Sequence, residues 1–244
     1  TLDAEDRVIR PAKLWCDTET IGECQQITRA AGGSSMVFKH IGNHLAVGYT
    51  ASKIRWLSEH EPHHFERCAT IFLPHDYINY WLSGERLCEH SDSSGTGYFD
   101  VITRQFNAAM IQAIDPSGRL QSCIPPLIAA HQPAGLLRPE LCAEFGLPAT
   151  TLIAAGGGDN MMGAIGTGNV RAGVVTASLG TSGTIYGYAD QPVIDPGGEL
   201  AAFCSATGGW LPLVCTMNVT VATELMRDLF QLELFQLNER AASS

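Results

Sequence analysis

Two short glycine-rich segments carry the residues of this chain that are best suited to chemistry. The first, GGGDN at residues 156–160, follows the apolar run 151–155, and the second, SLGTSG at 178–183, follows the strand-like run 173–177. Glycine lets a backbone approach a ligand closely, and open α/β sheets present reactive groups where their strands end. We predict that Asp159 accepts the proton of an alcohol while the second turn holds phosphate groups, as phosphoryl transfer requires.

Asp159 has a simpler alternative role, because aspartate often caps the N-terminus of a helix. A helix is predicted directly after it, at residues 160–167. A helix cap does not need three preceding glycines, however, and Asn160 places a second polar side chain beside that of Asp159. A carboxylate is a weak base, but an alcohol becomes acidic as it attacks phosphorus, so the position of the carboxylate matters more than its basicity.

The second turn also has an ordinary alternative, because short turns of Gly, Ser and Thr commonly join two strands of a hairpin. Its position about twenty residues after Asp159 favours a phosphate-binding loop instead. In such a loop the donors would be backbone amides and two hydroxyls. These donors belong to Gly180, Thr181, Ser182 and Gly183.

Other motifs that could bind a nucleotide or a metal are weak. The segment GAIGTG at residues 163–168 does not have the glycine order of GxGxxG, so a dinucleotide-dependent oxidoreductase is disfavoured, and no P-loop motif occurs. The pairs His40/His44 and His60/His64 have a spacing that can bind metal, but neither has the H-E-x-x-H pattern. We expect surface histidines and assign no metal ligand.

The composition excludes several classes of partner. A net charge of −10 over 244 residues disfavours nucleic acid and anionic membranes, and any phosphate site must rely on backbone amides. Eight cysteines without a C-x-x-C pair predict reduced thiols in a cytoplasmic protein. No apolar run approaches the roughly 18 residues of a membrane span. Because the chain starts at Thr1 without methionine, we expect it to begin inside a longer protein.

The pattern of apolar residues predicts the elements that position these motifs. Helices are expected at 18–31, 50–60, 74–82, 138–146, 160–167 and 219–236, with a break at 32–35, a short helix from Glu61 and a loop at 91–97. Strands are expected at 11–17, 71–73, 150–155, 173–178, 183–188 and 210–215, after an opening hairpin. Helices and strands alternate early and strands come in series later, which predicts an α/β domain joined near residue 170 to a second domain.

These segments resemble the FGGY carbohydrate kinases, and within them the xylulokinase branch. The segments that carry the resemblance are GGGDN at 156–160, SLGTSG at 178–183, Trp15-x-Asp17, Pro74-x-Asp76-Tyr77 and Ser91-Asp92-x-x-Gly95-Thr96. The resemblance implies an α/β, actin-like (ribonuclease H-like) ATPase fold in a two-domain kinase. Residues 1–169 would be the N-terminal sugar-binding domain without its first strands and phosphate loop, and 170–244 the start of the C-terminal ATP-binding domain.

The resemblance also implies a reaction, the transfer of the γ-phosphate of Mg-ATP to a sugar hydroxyl. Asp159 would be the general base that converts D-xylulose to D-xylulose 5-phosphate, and Asn160, Trp15 and Asp17 would contact the sugar. ATP phosphates would lie on Gly180, Thr181, Ser182 and Gly183. The Mg²⁺ and adenosine sites of the family would lie outside this chain. The partner is then a small sugar, and a homodimer is one option for the assembly.

Two other functions stay open at this point. The protein could be an FGGY kinase of another sugar or polyol, since Cys16 stands beside Trp15 where related chains carry a small polar residue. It could also be a sugar-binding relative without catalytic activity, although the intact Asp159 argues against this.

Overall fold

The computed structural model describes residues 1–243, in which short helices alternate with short strands, as expected for an α/β chain. The helices are α1 (Ile21–Ala30), α2 (Ser34–Ile41), α3 (Thr50–His60), α4 (Pro62–Arg67), α5 (Pro74–Ser83), α6 (His90–Ser93), α7 (Ala108–Ile114), α8 (Arg119–Cys123), α9 (Pro139–Phe145), α10 (Asp159–Gly166), α11 (Thr220–Leu229) and α12 (Leu234–Ala242). The strands are β1 (Cys88–Glu89), β2 (Phe99–Asp100), β3 (Gln105–Phe106), β4 (Leu127–Ile128), β5 (Pro133–Leu136), β6 (Leu152–Ala154), β7 (Val175–Leu179), β8 (Gly183–Gly187) and β9 (Leu213–Thr216).

The main apolar core lies where α1, α3 and α7 pack against one another. Residues three or four apart share one face of a helix, and this spacing buries Ile54 with Leu57 on α3 and Met110 with Ile114 on α7. Ile27 of α1 belongs to the same cluster. The predicted helix at 50–60 is confirmed with the same bounds as α3.

The predicted break after α1 is followed by a helix that the sequence analysis missed. Gly33 has a φ of +98° and becomes the residue that precedes α2. Val37 and Ile41, four residues apart, are buried on one face of this helix. The glycines therefore separate two helices, because a positive φ turns the chain without preventing it from becoming helical again. Helices α7 and α8 were missed as well.

Two predicted strands are wrong. Residues 11–17 end in a turn, closed by a hydrogen bond from the Asp17 amide to the Leu14 carbonyl, 3.1 Å. Residues 71–73 are extended but belong to no strand, and the Ile71 amide donates to the Cys123 carbonyl of α8. In both places apolar residues suggested a strand, whereas the backbone amide of Asp17 closes a local turn and that of Ile71 binds α8.

Two further segments differ from the prediction. The predicted helix at 219–236 is split into α11 and α12 at Gln231, which has a φ of +50°. The second helix then starts with a capping box formed by Glu233 and Gln236. The predicted loop at 91–97 begins inside α6, whose N-terminal amides on Ser91 and Asp92 donate to the buried carboxylate of Glu89.

The strands form four small sheets. β1 and β4 are parallel, whereas β2 with β3 and β5 with β6 are antiparallel. The largest sheet is the antiparallel order β7-β8-β9, in which Leu179 lies opposite Gly183. β8 also contacts α10, so the hairpin after residue 173 lies beside the helix that follows the GGGDN segment.

The chain beyond residue 190 returns to pack on earlier parts. Ala202 and Cys204 share an apolar cluster with Phe99 and Val101. The Cys204 amide donates to Ser94 Oγ at 3.0 Å, and the Trp210 indole donates to the Val101 carbonyl at 2.8 Å. Residues on both sides of the predicted domain boundary near 170 therefore share one core, and the boundary itself stays a prediction.

Asn43 makes the tightest link across this packing. Its buried amide group donates to the Ala202 carbonyl and accepts from the Ala202 amide, both at 2.7 Å. We expect Asn43→Ala to lower the free energy of unfolding by about 2–4 kcal/mol, because two buried backbone groups lose their partner. Urea denaturation of the intact gene product measures this. The exposed Asn238→Ala on α12 is the control, and a loss below about 0.5 kcal/mol for Asn43→Ala would contradict the expectation.

The described residues contain no helix that is both long and apolar enough to cross a membrane. All eight cysteines are free thiols, as predicted from their spacing. Six of them are buried, while Cys16 and Cys215 are exposed.

Candidate functional site

The GGGDN segment forms a turn between β6 and α10. Gly156 has a φ of +73°, and Gly158 is the residue that caps α10, without a side-chain hydrogen bond. Asp159 is therefore the first residue of the helix and not its cap, which contradicts the simpler role considered for it. Its exposed carboxylate accepts the Asn160 amide through Oδ1 at 2.8 Å. A carboxylate at this position benefits from the positive end of the helix dipole.

Each of the three glycines of the turn lies close to a side chain from another element. A Cβ on Gly156 would lie 3.0 Å from His75 Cδ2, and one on Gly157 would lie 2.7 Å from Ser91 Oγ. A Cβ on Gly158 would lie 3.5 Å from Asp92 Oδ1. The glycines therefore let α5 and α6 pack directly against the turn that carries Asp159.

The SLGTSG segment forms the end of the β7–β8 hairpin, as the alternative reading expected, but its tip is held by α11. The amides of Val219 and Thr220 donate to the carbonyls of Thr181 and Gly180, each at 3.0 Å. The Gly180 amide donates to the Ser182 carbonyl at 2.9 Å. No hydrogen bond among residues 1–243 uses the amides of Thr181 and Ser182, so these two are the donors that the tip presents.

The helix and the hairpin meet at Asn160. Thr184, which follows Gly183 on β8, donates its hydroxyl to Asn160 Oδ1 at 3.0 Å. The buried Tyr186 lies below, with its hydroxyl 2.7 Å from where a Cβ on Gly163 would be. Burial raises the pKa of Tyr186, and the charge of Asp159 adds to this. The structure thus brings Asp159 and Asn160 next to the hairpin that carries residues 180–183.

Trp15 and Asp17 lie elsewhere, in the turn before α1. The Trp15 side chain is 61% exposed. Asp17 accepts the Glu19 amide at 2.9 Å and pairs with Lys13 at 3.4 Å, and these two interactions hold its pKa below the ordinary value. Within the described part of the chain, no hydrogen bond or ion pair joins Asp17 to Asp159. Within residues 1–243, the two predicted halves of the sugar site are therefore not joined by these bonds.

A half-buried polar cluster beneath the glycine turn was given no role by the sequence analysis. His75 at the start of α5 pairs with Asp92 on α6, with Nδ1 2.9 Å from Oδ2. Its Nε2 lies 2.8 Å from the carbonyl oxygen of Ala155, the residue before the first glycine. Asn79 donates to the same oxygen at 2.6 Å. The only sequence signal was that two of the motif segments contain Asp76 and Asp92.

Burial and hydrogen bonding shift the pKa values in this cluster. Desolvation acts to lower the pKa of His75, but the bond to Asp92, the charge of Asp76 and the Ala155 carbonyl raise it to about 9. Burial raises the pKa of Asp76 to about 8 and also raises that of Glu89. Because folded His75 holds its proton more tightly, its contribution to stability is complete below about pH 6.5 and is lost as the pH rises through about 9.

Comparison with known proteins gives consistent matches. Residues 1–166 match the profile of the FGGY family of carbohydrate kinases, N-terminal domain. The xylulose kinase of Haemophilus influenzae is 43% identical over 240 residues, which are 98% of this chain and 49% of that protein. The chain therefore spans about half the length of this curated relative.

Solved structures match this chain as well. A structure from Brucella ovis, described as a xyloylose kinase, superimposes with a TM-score of 0.89 at 32% identity and covers 98% of this chain and 48% of its own. The xylulose kinase of Bifidobacterium adolescentis gives 0.84 at 26% identity, covering 95% and 53%. These matches confirm the predicted α/β, actin-like fold. With more than half of its length matched by the family profile, the chain belongs to the FGGY family of carbohydrate kinases.

Proposed function

We propose that the protein containing this chain phosphorylates a ketopentose with ATP, and that the acceptor is D-xylulose, which becomes D-xylulose 5-phosphate. One observation carries the proposal. The exposed carboxylate of Asp159 lies at the start of a helix, and Asn160 of the same helix is hydrogen-bonded to a hairpin that has unused amide donors. Phosphoryl transfer to an alcohol needs a proton acceptor and phosphate donors side by side. The identity to xylulose kinases supports the choice of sugar.

In the proposed reaction the terminal hydroxyl oxygen of the sugar forms a bond to the γ-phosphorus of ATP. The bond from that phosphorus to the bridging oxygen breaks, ADP leaves, and the hydroxyl proton passes to Asp159. The amides and hydroxyls of Thr181 and Ser182 hold the phosphates, and Gly180 and Gly183 let them approach the backbone. Asn160, whose Oδ1 accepts the Thr184 hydroxyl, would contact the sugar.

The sugar would also contact Trp15 and Asp17. An exposed indole suits stacking on the apolar face of a sugar. The Asp17 carboxylate is held ionised by Lys13 and the Glu19 amide, so it can accept sugar hydroxyls. Because this turn does not touch Asp159, we propose that the sugar itself bridges the two groups of residues.

Magnesium would accompany ATP, but the hairpin tip itself offers no carboxylate to a cation. The tip presents amide and hydroxyl donors, whereas Mg²⁺ prefers carboxylate and water oxygens. Among residues 1–243, the His and carboxylate atoms close enough to share a metal belong to Glu23, Glu59 and His60. That group lies on α1 and α3, and Glu59 is already paired with Arg55 at 2.6 Å. We propose that the Mg²⁺ ligands lie outside this chain.

The domain roles stay part of the proposal. Residues 1–169 would bind the sugar and 170–244 would begin the ATP-binding domain, a division supported by the family match to residues 1–166. A cytoplasmic location and a homodimer were also predicted from the sequence, and both stay predictions.

The test of the function is ADP formation by the intact gene product with Mg-ATP. The acceptors are D-xylulose, D-ribulose, L-ribulose, glycerol and gluconate. We expect selective turnover of D-xylulose. Selective turnover of another acceptor would keep the reaction and change the substrate, whereas sugar binding without ADP formation from any of them would favour a non-catalytic relative.

A further inference from the structure

We propose that His75, held by Asp92, positions the glycine turn from which Asp159 reaches the sugar, and so acts on the reaction through Asp159. This inference rests on the proposed role of Asp159 as the proton acceptor. His75 does not touch Asp159. It binds the carbonyl of Ala155, from which the chain runs through three glycines to the catalytic carboxylate.

The two hydrogen bonds of His75 fit a doubly protonated imidazole. Both partners of His75 are acceptors: a carbonyl oxygen can only accept, and an ionised carboxylate can only accept. The ring therefore donates from Nε2 to Ala155 and from Nδ1 to Asp92 at the same time. Charge-assisted hydrogen bonds of this kind are stronger and more directional than neutral ones. The raised pKa of His75 agrees with this protonation state.

Asp92, the partner of His75 in this pair, is held in place as well. Glu89 accepts the amides of Ser91 and Asp92, so the short helix α6 that carries Asp92 is tied down at its start. Asp76 lies 3.4 Å from His75 Nδ1. The charged or titratable groups that face His75 are therefore Asp76, Glu89 and Asp92. His75 therefore contacts two carboxyl groups, Asp76 and Asp92, and lies near a third, Glu89.

The pair contributes to stability, and its bond to Ala155, directly before the glycine turn, points to a second role. Replacing a buried ion pair by apolar residues is often neutral or stabilising, so such a pair is weak support for a stabilising purpose. The glycine turn has few restraints of its own, because glycine allows many backbone conformations. A turn of this kind needs bonds from outside to keep the following carboxylate within the small tolerance of a reacting geometry.

The test compares His75→Gln, Asp92→Asn and the control His64→Gln in the intact gene product. His64 pairs with Glu61 at 2.8 Å, so the control removes a similar pair remote in sequence from the turn. We expect His75→Gln and Asp92→Asn to lower kcat by about 10- to 100-fold, with KM for ATP changed less than about threefold. The control should leave both values unchanged.

A double-mutant cycle with Asp159→Asn separates positioning from general damage. If His75 acts through Asp159, adding His75→Gln to Asp159→Asn lowers the remaining kcat by less than about threefold. An equal loss in both backgrounds, or a kcat of His75→Gln equal to that of the control, would overturn the proposal. Asp92→Asn repeats the cycle if His75→Gln does not fold.

Hydrogen exchange keeps this inference distinct from the proposed function. We expect His75→Gln, but not His64→Gln, to speed the exchange of backbone amides at residues 156–161 by about tenfold or more. If the unaltered protein turns over no sugar, the proposed function fails while faster exchange still supports the control of the turn by His75. Unchanged exchange at 156–161 would overturn the inference whatever the activity.

Discussion

Asp159→Asn in the intact gene product lowers kcat for the sugar by about 10²- to 10⁴-fold, the range typical of a lost general base. Asparagine keeps the shape of the side chain and can still accept the Asn160 amide, but it cannot take the hydroxyl proton. KM for the sugar should change little, because the carboxylate is needed most in the transition state. ADP formation at saturating Mg-ATP measures the effect.

The control for this prediction is Asp190→Asn, which removes one exposed carboxylate shortly after the hairpin. It changes the net charge by the same amount and should leave kcat unchanged. If Asp159→Asn kept more than about a tenth of the activity, Asp159 would not be the proton acceptor. The proposed mechanism would then have to be given up, although the family assignment would stand.

Gly157→Ala is expected to lower kcat by about 10- to 100-fold, because it moves the turn that carries Asp159. The new Cβ would lie 2.7 Å from Ser91 Oγ, 2.9 Å from Met162 Cε and 3.1 Å from Ala206 Cβ. Met162 can give way, but Ser91 of α6 and Ala206 of a later turn also lie against this position, so the backbone itself must shift. Overpacking of this kind also costs about 1–3 kcal/mol of stability. Steady-state kinetics and urea denaturation measure the two effects.

Gly166→Ala is the matched control, because Gly166 ends α10 and a Cβ there meets nothing within 4 Å. Alanine favours the helix over glycine, so this variant should be as stable as the unaltered protein or up to about 1 kcal/mol more stable. Its kcat should be unchanged. Normal activity in Gly157→Ala would mean that the tight contacts of the turn do not set the position of Asp159.

The sequence alone determined several elements and the two motifs of the proposed site. Helix α3 was predicted with its observed bounds. Helices α5 and α9 lie within one residue of the predicted 74–82 and 138–146, and each is followed by a glycine, Gly84 or Gly146, with a left-handed φ. The turn that carries Asp159 and the hairpin that carries Ser182 were also predicted. These features depend on residues close together in the chain: apolar spacing, glycine conformations and short motifs.

The tertiary structure decided which long-range contacts hold the motifs. His75 binds a carbonyl 80 residues away, and Asn43 binds a backbone 159 residues away. Neither residue stands out in the sequence, since asparagine is mostly exposed in proteins and histidine is intermediate. A partner so far away in the chain is set only by folding. The predicted strands 11–17 and 71–73 failed for the same reason, because a strand exists only where another strand supplies its hydrogen bonds. Local residue pattern fixed the motifs, and long-range hydrogen bonds fixed their surroundings.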